Sequence, residues 1–140
     1  MDTDKLILEK ITLYHHQQKN NCAQTTLKIL SEVFNVDINP QVISSACGLN
    51  GGGRYGAQCG LLEGALMFLG IKTCIDNKDK KYINKTCYNY TDKFKSNFES
   101  LLCSDLRPGG FQKGDSPDVC EKLFIKAIKL TTNFIKKEMI

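Results

Sequence analysis

The residues best suited to chemistry in this chain are seven cysteines. No two of them form a C-x-x-C pair, and the chain has neither a C-x-x-C-H haem-attachment motif nor a tightly spaced ferredoxin-type run. A chain of 140 residues, 41% of them hydrophobic, can build a core without disulfide or metal support. The cysteines are therefore not needed for folding, and any site they form must be assembled by the fold.

The densest local pattern is the segment 48–64, where a glycine-rich loop leads through Cys59 into an apolar run. Glycine allows positive φ and close backbone approach, and a helix start presents unpaired N–H groups and a partial positive charge. We therefore expect Cys59 to ionise more easily than a free cysteine, with Glu63 as its proton acceptor or as a side chain that reaches the surface. Arg54 could stabilise a neighbouring thiolate.

The same loop is a candidate cradle for the phosphate of a nucleotide or a flavin, because it precedes a helix N-terminus. It lacks the Gly-Lys-Ser/Thr of a P-loop, and no strand precedes it, so the nucleotide-binding fingerprints fail on context. The candidate cofactor-binding residues are Gly52, Gly53, Arg54 and Gly60.

The elements that must position these residues read as helices throughout. The periodicity predicts an all-α, single-domain bundle over residues 1–140, with about five to six helices. The predicted helices cover approximately 5–17, 22–35, 40–47, 58–69, 79–103 and 117–140. Asn21 is expected to cap the second helix, and Gly48 and Gly70 are expected to end the third and fourth. The fourth is apolar almost all round, which predicts a central, buried helix.

Short connections between antiparallel helices bring four cysteines to one end of this bundle. We call that end the cysteine pole and define it by Cys22, Cys59, Cys103 and Cys120. Cys103 is predicted to close the fifth helix, while the other three lie at helix starts, where the helix dipole should lower a thiol pKa. Cys47 is expected at the same pole, whereas Cys74 and Cys87 are expected to be packing residues.

Clustered thiols favour redox exchange or metal ligation over structural disulfides. Four cysteines also suit zinc or an iron–sulfur cluster, so Cys22, Cys59, Cys103 and Cys120 are candidate metal ligands as well as candidate catalytic residues. A haem or a flavin is less favoured. Of His15 and His16, at most one could join a ligand set, and an exposed pair at a helix end is the commoner arrangement.

The charge pattern and the hydropathy of the chain argue against two kinds of partner, nucleic acids and membranes. The net charge of +4 comes from lysines of the kind that cover solvated helix faces, without the interleaved aromatics of a nucleic-acid site. No segment has the roughly twenty apolar residues of a membrane span, and the acidic N-terminus differs from a secretory signal. We therefore expect a cytoplasmic protein that neither binds nucleic acid nor inserts into membranes.

The chain resembles the redox-active protein family named C_GCAxxG_C_C. The resemblance rests on Asn21-Cys22-Ala23-Gln24, on the run Gly51-Gly52-Gly53-Arg54 that leads to Cys59-Gly60-Leu61-Leu62-Glu63-Gly64, and on single cysteines at 103 and 120. The family's second cysteine lies in a Cys-Gly-Ala-x-x-Gly motif, where this chain has Leu61 in place of alanine. The resemblance implies four characteristic cysteines, here Cys22, Cys59, Cys103 and Cys120, and a redox role linked to transport.

Three readings of the function follow. The first is a small redox protein in which Cys59 attacks and the other three pole cysteines resolve the intermediate or ligate an electron-transfer metal centre. It would act with a redox partner protein or a transporter-linked system. The second is a non-catalytic module that binds an anionic ligand or a protein, and a metal-storage or metal-delivery protein is a third reading with the same ligands. A homodimer is compatible with each.

Overall fold

The structure is a computed structural model that describes residues 3–107, 109–110 and 120–139. Helices dominate it, and the described residues contain no strand, only an isolated antiparallel bridge between Gln58 and Leu102. The all-α prediction is therefore confirmed. The helices are α1 (Thr3–Ile11), which continues as a π-helix (Thr12–Gln17), α2 (Cys22–Phe34), α3 (Pro40–Ser45) with a 3-10 turn (Ala46–Gly48), α4 (Gly51–Arg54), α5 (Gly60–Ile75), α6 (Lys80–Phe98), α7 (Cys103–Leu106) and α8 (Glu121–Glu138).

Helix α5 is central, as its all-round apolar pattern predicts, and it packs against α2, α6 and α8. Its side chains Leu62, Ala65, Phe68 and Leu69 are completely buried. Around it, the core is continuous with buried residues of α1, α2, α6 and α8. Among the described residues, no helix has both the length and the apolar character needed to span a membrane.

Helix α2 begins as its sequence predicts. The Asn21 side chain accepts a hydrogen bond from the N–H of Gln24, and the Gln24 side chain accepts one from the N–H of Asn21, which completes a capping box. The side-chain amide of Asn21 also donates to the carbonyl oxygens of Ala46 (3.0 Å) and Cys47 (2.9 Å). One residue thus starts α2 and ties the 3-10 turn to that start.

Two helix ends differ from the predictions. Helix α5 continues through Gly70 to Ile75, because the cost of about 1 kcal/mol for glycine inside a helix is small beside the burial of the helix's apolar face. Helix α6 ends at Phe98, where Glu99 takes left-handed backbone (φ 70°) and donates its N–H to the carbonyl of Lys95. The helical spacing of apolar residues continues in the sequence as far as Leu101, but the helix itself ends at Phe98.

Two further predictions concern the end of the third helix at Gly48 and the start of the last helix. Gly48 is not among the glycines with positive φ, and in the glycine loop the left-handed backbone starts at Gly51. The predicted start of the last helix at Ser116 and Pro117 lies outside the described residues, in which α8 begins at Glu121.

Candidate functional site

Each of the four pole cysteines lies at the N-terminus of a helix. Cys22 is the first residue of α2 and Cys103 the first of α7, while Cys59 and Cys120 are the N-caps of α5 and α8. The prediction that Cys103 closes a helix is wrong, because α6 has already ended and Cys103 opens the next helix. All four thiols are buried, with 5 to 8% of each residue exposed.

The four thiols lie close enough to influence each other electrostatically, which confirms the predicted cysteine pole. Cys59, Cys120 and Cys103 each act on Cys22, in that order of strength. Cys103 and Cys120 act on Cys59 as well. Four separate helices thus deliver their N-terminal cysteines to one buried region.

Two glycines of α5 allow it to approach α2 closely. A Cβ added at Gly60 would lie 2.9 Å from the Cβ of Cys22 and 3.0 Å from the carbonyl oxygen of Leu49. A Cβ added at Gly64 would lie 2.7 Å from the carbonyl oxygen of Ala23. Both separations are shorter than normal contacts, so only glycine fits at these positions. Gly60, a candidate cofactor-binding residue, therefore has a packing role between Cys22 and Cys59.

A short stretch of antiparallel backbone holds Cys59 beside Cys103. The N–H of Cys59 donates to the carbonyl of Leu101 (2.8 Å), and the N–H of Cys103 donates to the carbonyl of Ala57 (2.6 Å). These two bonds flank the bridge between Gln58 and Leu102. The relative position of the two cysteines is thus fixed by main-chain hydrogen bonds rather than by side-chain packing alone.

The glycine loop covers this bridge. All four residues of α4 have positive φ, from 58° to 78°, a run that requires glycine at most positions. Gly51 is buried, and a Cβ added to it would lie 3.2 Å from the sulfur of Cys103. Gly52, Gly53 and Arg54 are exposed.

Glu63 belongs to this loop contact rather than to a thiol. The N–H of Gly52 donates to its carboxylate oxygen Oε1 at 3.3 Å, so a carboxylate of the chain itself already occupies one donor of the predicted anion cradle. Partial burial raises the pKa of Glu63, and the hydrogen bond from Gly52 lowers it. The contact ties the exposed tip of the loop to the first turn of α5.

Burial, rather than the helix dipole, controls ionisation at the pole. Removal from water raises the pKa of Cys59 to about 12, even though the N–H groups of Leu61 and Leu62 act in the opposite direction. The pKa of Cys22 is also raised, first by burial and then by the three neighbouring thiols. The predicted lowering of the thiol pKa is therefore wrong for both cysteines. The helix dipole stabilises a thiolate, but the burial of the thiol removes the water that would stabilise it more strongly.

The cation that acts on the pole is Arg107, which was not among the residues predicted for the site. Arg107 is 7% exposed and lowers the pKa of Cys22, whereas Arg54, the residue expected to stabilise a thiolate, is exposed. Arg107 follows Cys103 by four residues, at the C-terminal end of α7. An arginine one helical turn after a candidate cysteine is the signal that could have identified it.

The other cysteines and the histidine pair differ in part from expectation. Cys47 lies beside the pole through the contact of its carbonyl with Asn21, but its side chain is exposed. Cys74 is exposed rather than packed, while Cys87 is half-buried. His15 is buried instead of exposed: its Nδ1–H donates to the carbonyl of Asn20 (2.7 Å), and its ring meets that of Phe124 edge-on.

The predicted metal ligands remain a prediction. Within the residues that the structure describes, no three or more His, Cys, Asp or Glu side chains are arranged to hold a metal ion. Cys22, Cys59, Cys103 and Cys120 are neighbours, but they do not form a ligand set in this conformation.

Comparison with known proteins agrees with this site. No curated protein and no solved structure matches the chain. The model of one protein family, described as "Putative redox-active protein (C_GCAxxG_C_C)", matches residues 20–134. That range includes all four pole cysteines, both close-packing glycines and Arg107. The chain belongs to the C_GCAxxG_C_C family of putative redox-active proteins.

Proposed function

We propose that this protein carries two electrons by thiol–disulfide exchange at the cysteine pole, with Cys59 as the attacking thiolate and Cys22 as its resolving partner. The observation that carries the proposal is the convergence of four buried thiols, each from a different helix N-terminus, beside the buried Arg107. Structural packing alone does not require a cysteine at each of four helix starts. The family's redox assignment supports the same reading.

The choice of Cys22 as partner rests on proximity. Among the neighbouring thiols, Cys59 has the largest electrostatic effect on Cys22. Gly60, the residue after Cys59, leaves no room for a side chain between α5 and the Cβ of Cys22. Cys103 and Cys120 are then the second pair, which can accept the disulfide from the first pair by further exchange.

The reaction balances as an ordinary exchange. The Cys59 thiolate attacks one sulfur of a substrate disulfide, forming a mixed disulfide and releasing the other substrate sulfur as a thiolate. The Cys22 thiolate then attacks the Cys59 sulfur, which forms the Cys22–Cys59 disulfide and releases the second substrate thiolate. The protons lost by the two cysteines pass to the released thiolates, and two electrons pass to the substrate.

The test is a thiol count with disulfide mapping. Reduced protein is oxidised with diamide, quenched with acid, denatured and alkylated, and the linked peptides are identified by mass spectrometry. We expect bridges among the four pole cysteines, a loss of the first bridge in Cys59→Ser, and no change in Cys87→Ser, which is the matched control. If the four pole cysteines stay reduced while other cysteines oxidise, the proposal is wrong.

A further inference from the structure

A cavity of about 250 Å³ lies between α1, α2 and α8, away from the cysteine pole. These three helices contact each other in pairs. Thr132, which lines the cavity on α8, follows the N-cap Cys120 by twelve residues, a distance of about 18 Å along the helix. The thiol exchange proposed above uses nothing in this region. A ligand bound here would therefore give the protein a second role.

The walls that α1 and α2 contribute are apolar. Leu6 and Ile7 line the cavity from α1, and Ile29 and Val33 line it from α2. Ile7 and Ile29 are buried, with 3% and 1% of each residue exposed, whereas Val33 is 38% exposed. The cavity thus has a buried apolar floor and an edge that solvent reaches. Such walls favour a ligand with an apolar body.

The wall that α8 contributes carries a buried hydroxyl. Thr132 is 5% exposed, and its hydroxyl oxygen has no hydrogen-bond partner within the described part of the chain. Its neighbour Thr131 differs, because its hydroxyl donates to the carbonyl of Ala127 (2.9 Å). Threonine in a helix has two accessible rotamers, so rotation about one bond presents the Thr132 hydroxyl to a ligand. An acceptor on that ligand would remove the cost of burying an unpaired hydroxyl.

The charged side chains at the cavity leave one positive charge over. Lys10, Glu32 and Lys136 all line it. The first two form an ion pair between α1 and α2, with 2.8 Å between Nζ and Oε2. Lys136 is exposed and, among the residues that the structure describes, has no carboxylate partner. It lies one helical turn after Thr132, on the same face of α8. A hydroxyl and an ammonium group in this arrangement suit one carboxylate.

We propose that the cavity binds a medium-chain carboxylate. The alkyl chain packs against the apolar side chains of α1 and α2, and the carboxylate accepts from the Thr132 hydroxyl and the Lys136 ammonium group. Volume sets the size of the ligand: a protein cavity of about 150 Å³ holds benzene, so one of about 250 Å³ holds about ten non-hydrogen atoms. Octanoate has about this size. The inference goes beyond the proposed function and uses no cysteine.

The experiment is a calorimetric titration of the full chain with sodium octanoate at pH 7. We expect saturable binding of one octanoate per chain, and binding of uncharged 1-octanol that is about tenfold weaker. Thr132→Val keeps the branched shape but removes the hydroxyl, and should weaken octanoate binding about tenfold. Lys136→Gln removes an exposed charge and should weaken it about threefold. Lys137→Gln, an exposed lysine on another face of α8, is the matched control and should bind like the wild type.

Urea unfolding separates a lost contact from a damaged fold. Thr132→Val should be at least as stable as the wild type, because it removes a buried hydroxyl that has no partner. A less stable Thr132→Val would show that the hydroxyl is already paired, and the proposal would be wrong. The proposal is also refuted if octanoate shows no saturable binding to the wild type, or if Thr132→Val and Lys136→Gln both bind it with wild-type affinity.

Discussion

The raised pKa of Cys59 predicts an unusually slow and steeply pH-dependent reaction with alkylating reagents. The perturbation is a pulse of iodoacetamide applied to fully reduced protein at several values of pH between 7 and 10. The reference is a short unstructured peptide that contains one cysteine, whose ordinary pKa is about 8.5. Only the folded environment of Cys59 distinguishes the two thiols.

The magnitude follows from the pKa of about 12. At pH 8, about one Cys59 thiol in ten thousand is ionised, against about one in four for the reference thiol. The more basic thiolate is more nucleophilic, and a Brønsted coefficient of about 0.4–0.5 recovers about forty-fold. Ionisation alone therefore slows Cys59 about sixty-fold at pH 8, before any loss of access.

Mass spectrometry of the labelled peptides separates ionisation from access. Restricted access lowers the rate of Cys59 by a constant factor at every pH. A raised pKa instead makes the rate rise about a hundredfold from pH 8 to 10, while the reference rises about fourfold. In denaturant, Cys59 should react like the reference. A Cys59 rate that levels off below pH 10, or that equals the reference rate at pH 8, would refute the argument from burial.

Three other predictions test the packing and the charges around the pole. Gly64→Ala should lower the free energy of unfolding by about 1–3 kcal/mol because its Cβ would overlap Ala23, whereas Gly70→Ala, in open space, should raise it by about 0.5–1 kcal/mol; urea unfolding measures both. Arg107→Gln should raise the pKa of Cys22 further and slow its alkylation, with the exposed Arg54→Gln as the control without effect. Finally, the folded-state pKa values of Cys22 and Cys59 lie above the unfolded value of 9.0. The free energy of unfolding is therefore unaffected by these two thiols below pH 9, and it falls above pH 9 by about 1.4 kcal/mol per pH unit for each thiol. Unfolding of reduced protein at pH 8 to 10 checks this, and a flat profile would contradict it.

The features that the sequence predicted well depend on local geometry or on the order of the helices. The cap at Asn21 needs only a side-chain oxygen and the next three residues, so it is visible in the sequence. The cysteine pole follows from helix order and short connections, so it survives errors of several residues in the helix ends. Cys103 illustrates this, because it reaches the pole although it opens a helix instead of closing one.

The features that the sequence missed depend on tertiary surroundings. Gly70 does not end α5, since burial of the helix outweighs the weak preference of one residue. Arg107 becomes important only because α7 places it beside buried thiols. His15 is buried because its ring packs on Phe124 of the last helix, more than a hundred residues away in the chain. None of these contacts has a local sequence pattern.

The thiol pKa shows most clearly how two physical effects compete at this site. A helix N-terminus stabilises an anion by about 0.3–2 kcal/mol, which alone would lower a thiol pKa by up to about 1.5 units. The rise of about three units at Cys59 corresponds to about 4 kcal/mol against the thiolate, so burial exceeds the dipole severalfold. Under the proposed function, water must therefore reach the pole, or a disulfide must be delivered into it, before Cys59 attacks.

This balance gives the four helix N-termini a specific role. While the pole is closed, they do not ionise the thiols, and the reduced cysteines are protected from alkylation and chance oxidation. In a conformation that let water reach the pole, the cost of burial would fall while the helix N-termini and Arg107 stayed in place, so the thiolates would become accessible together.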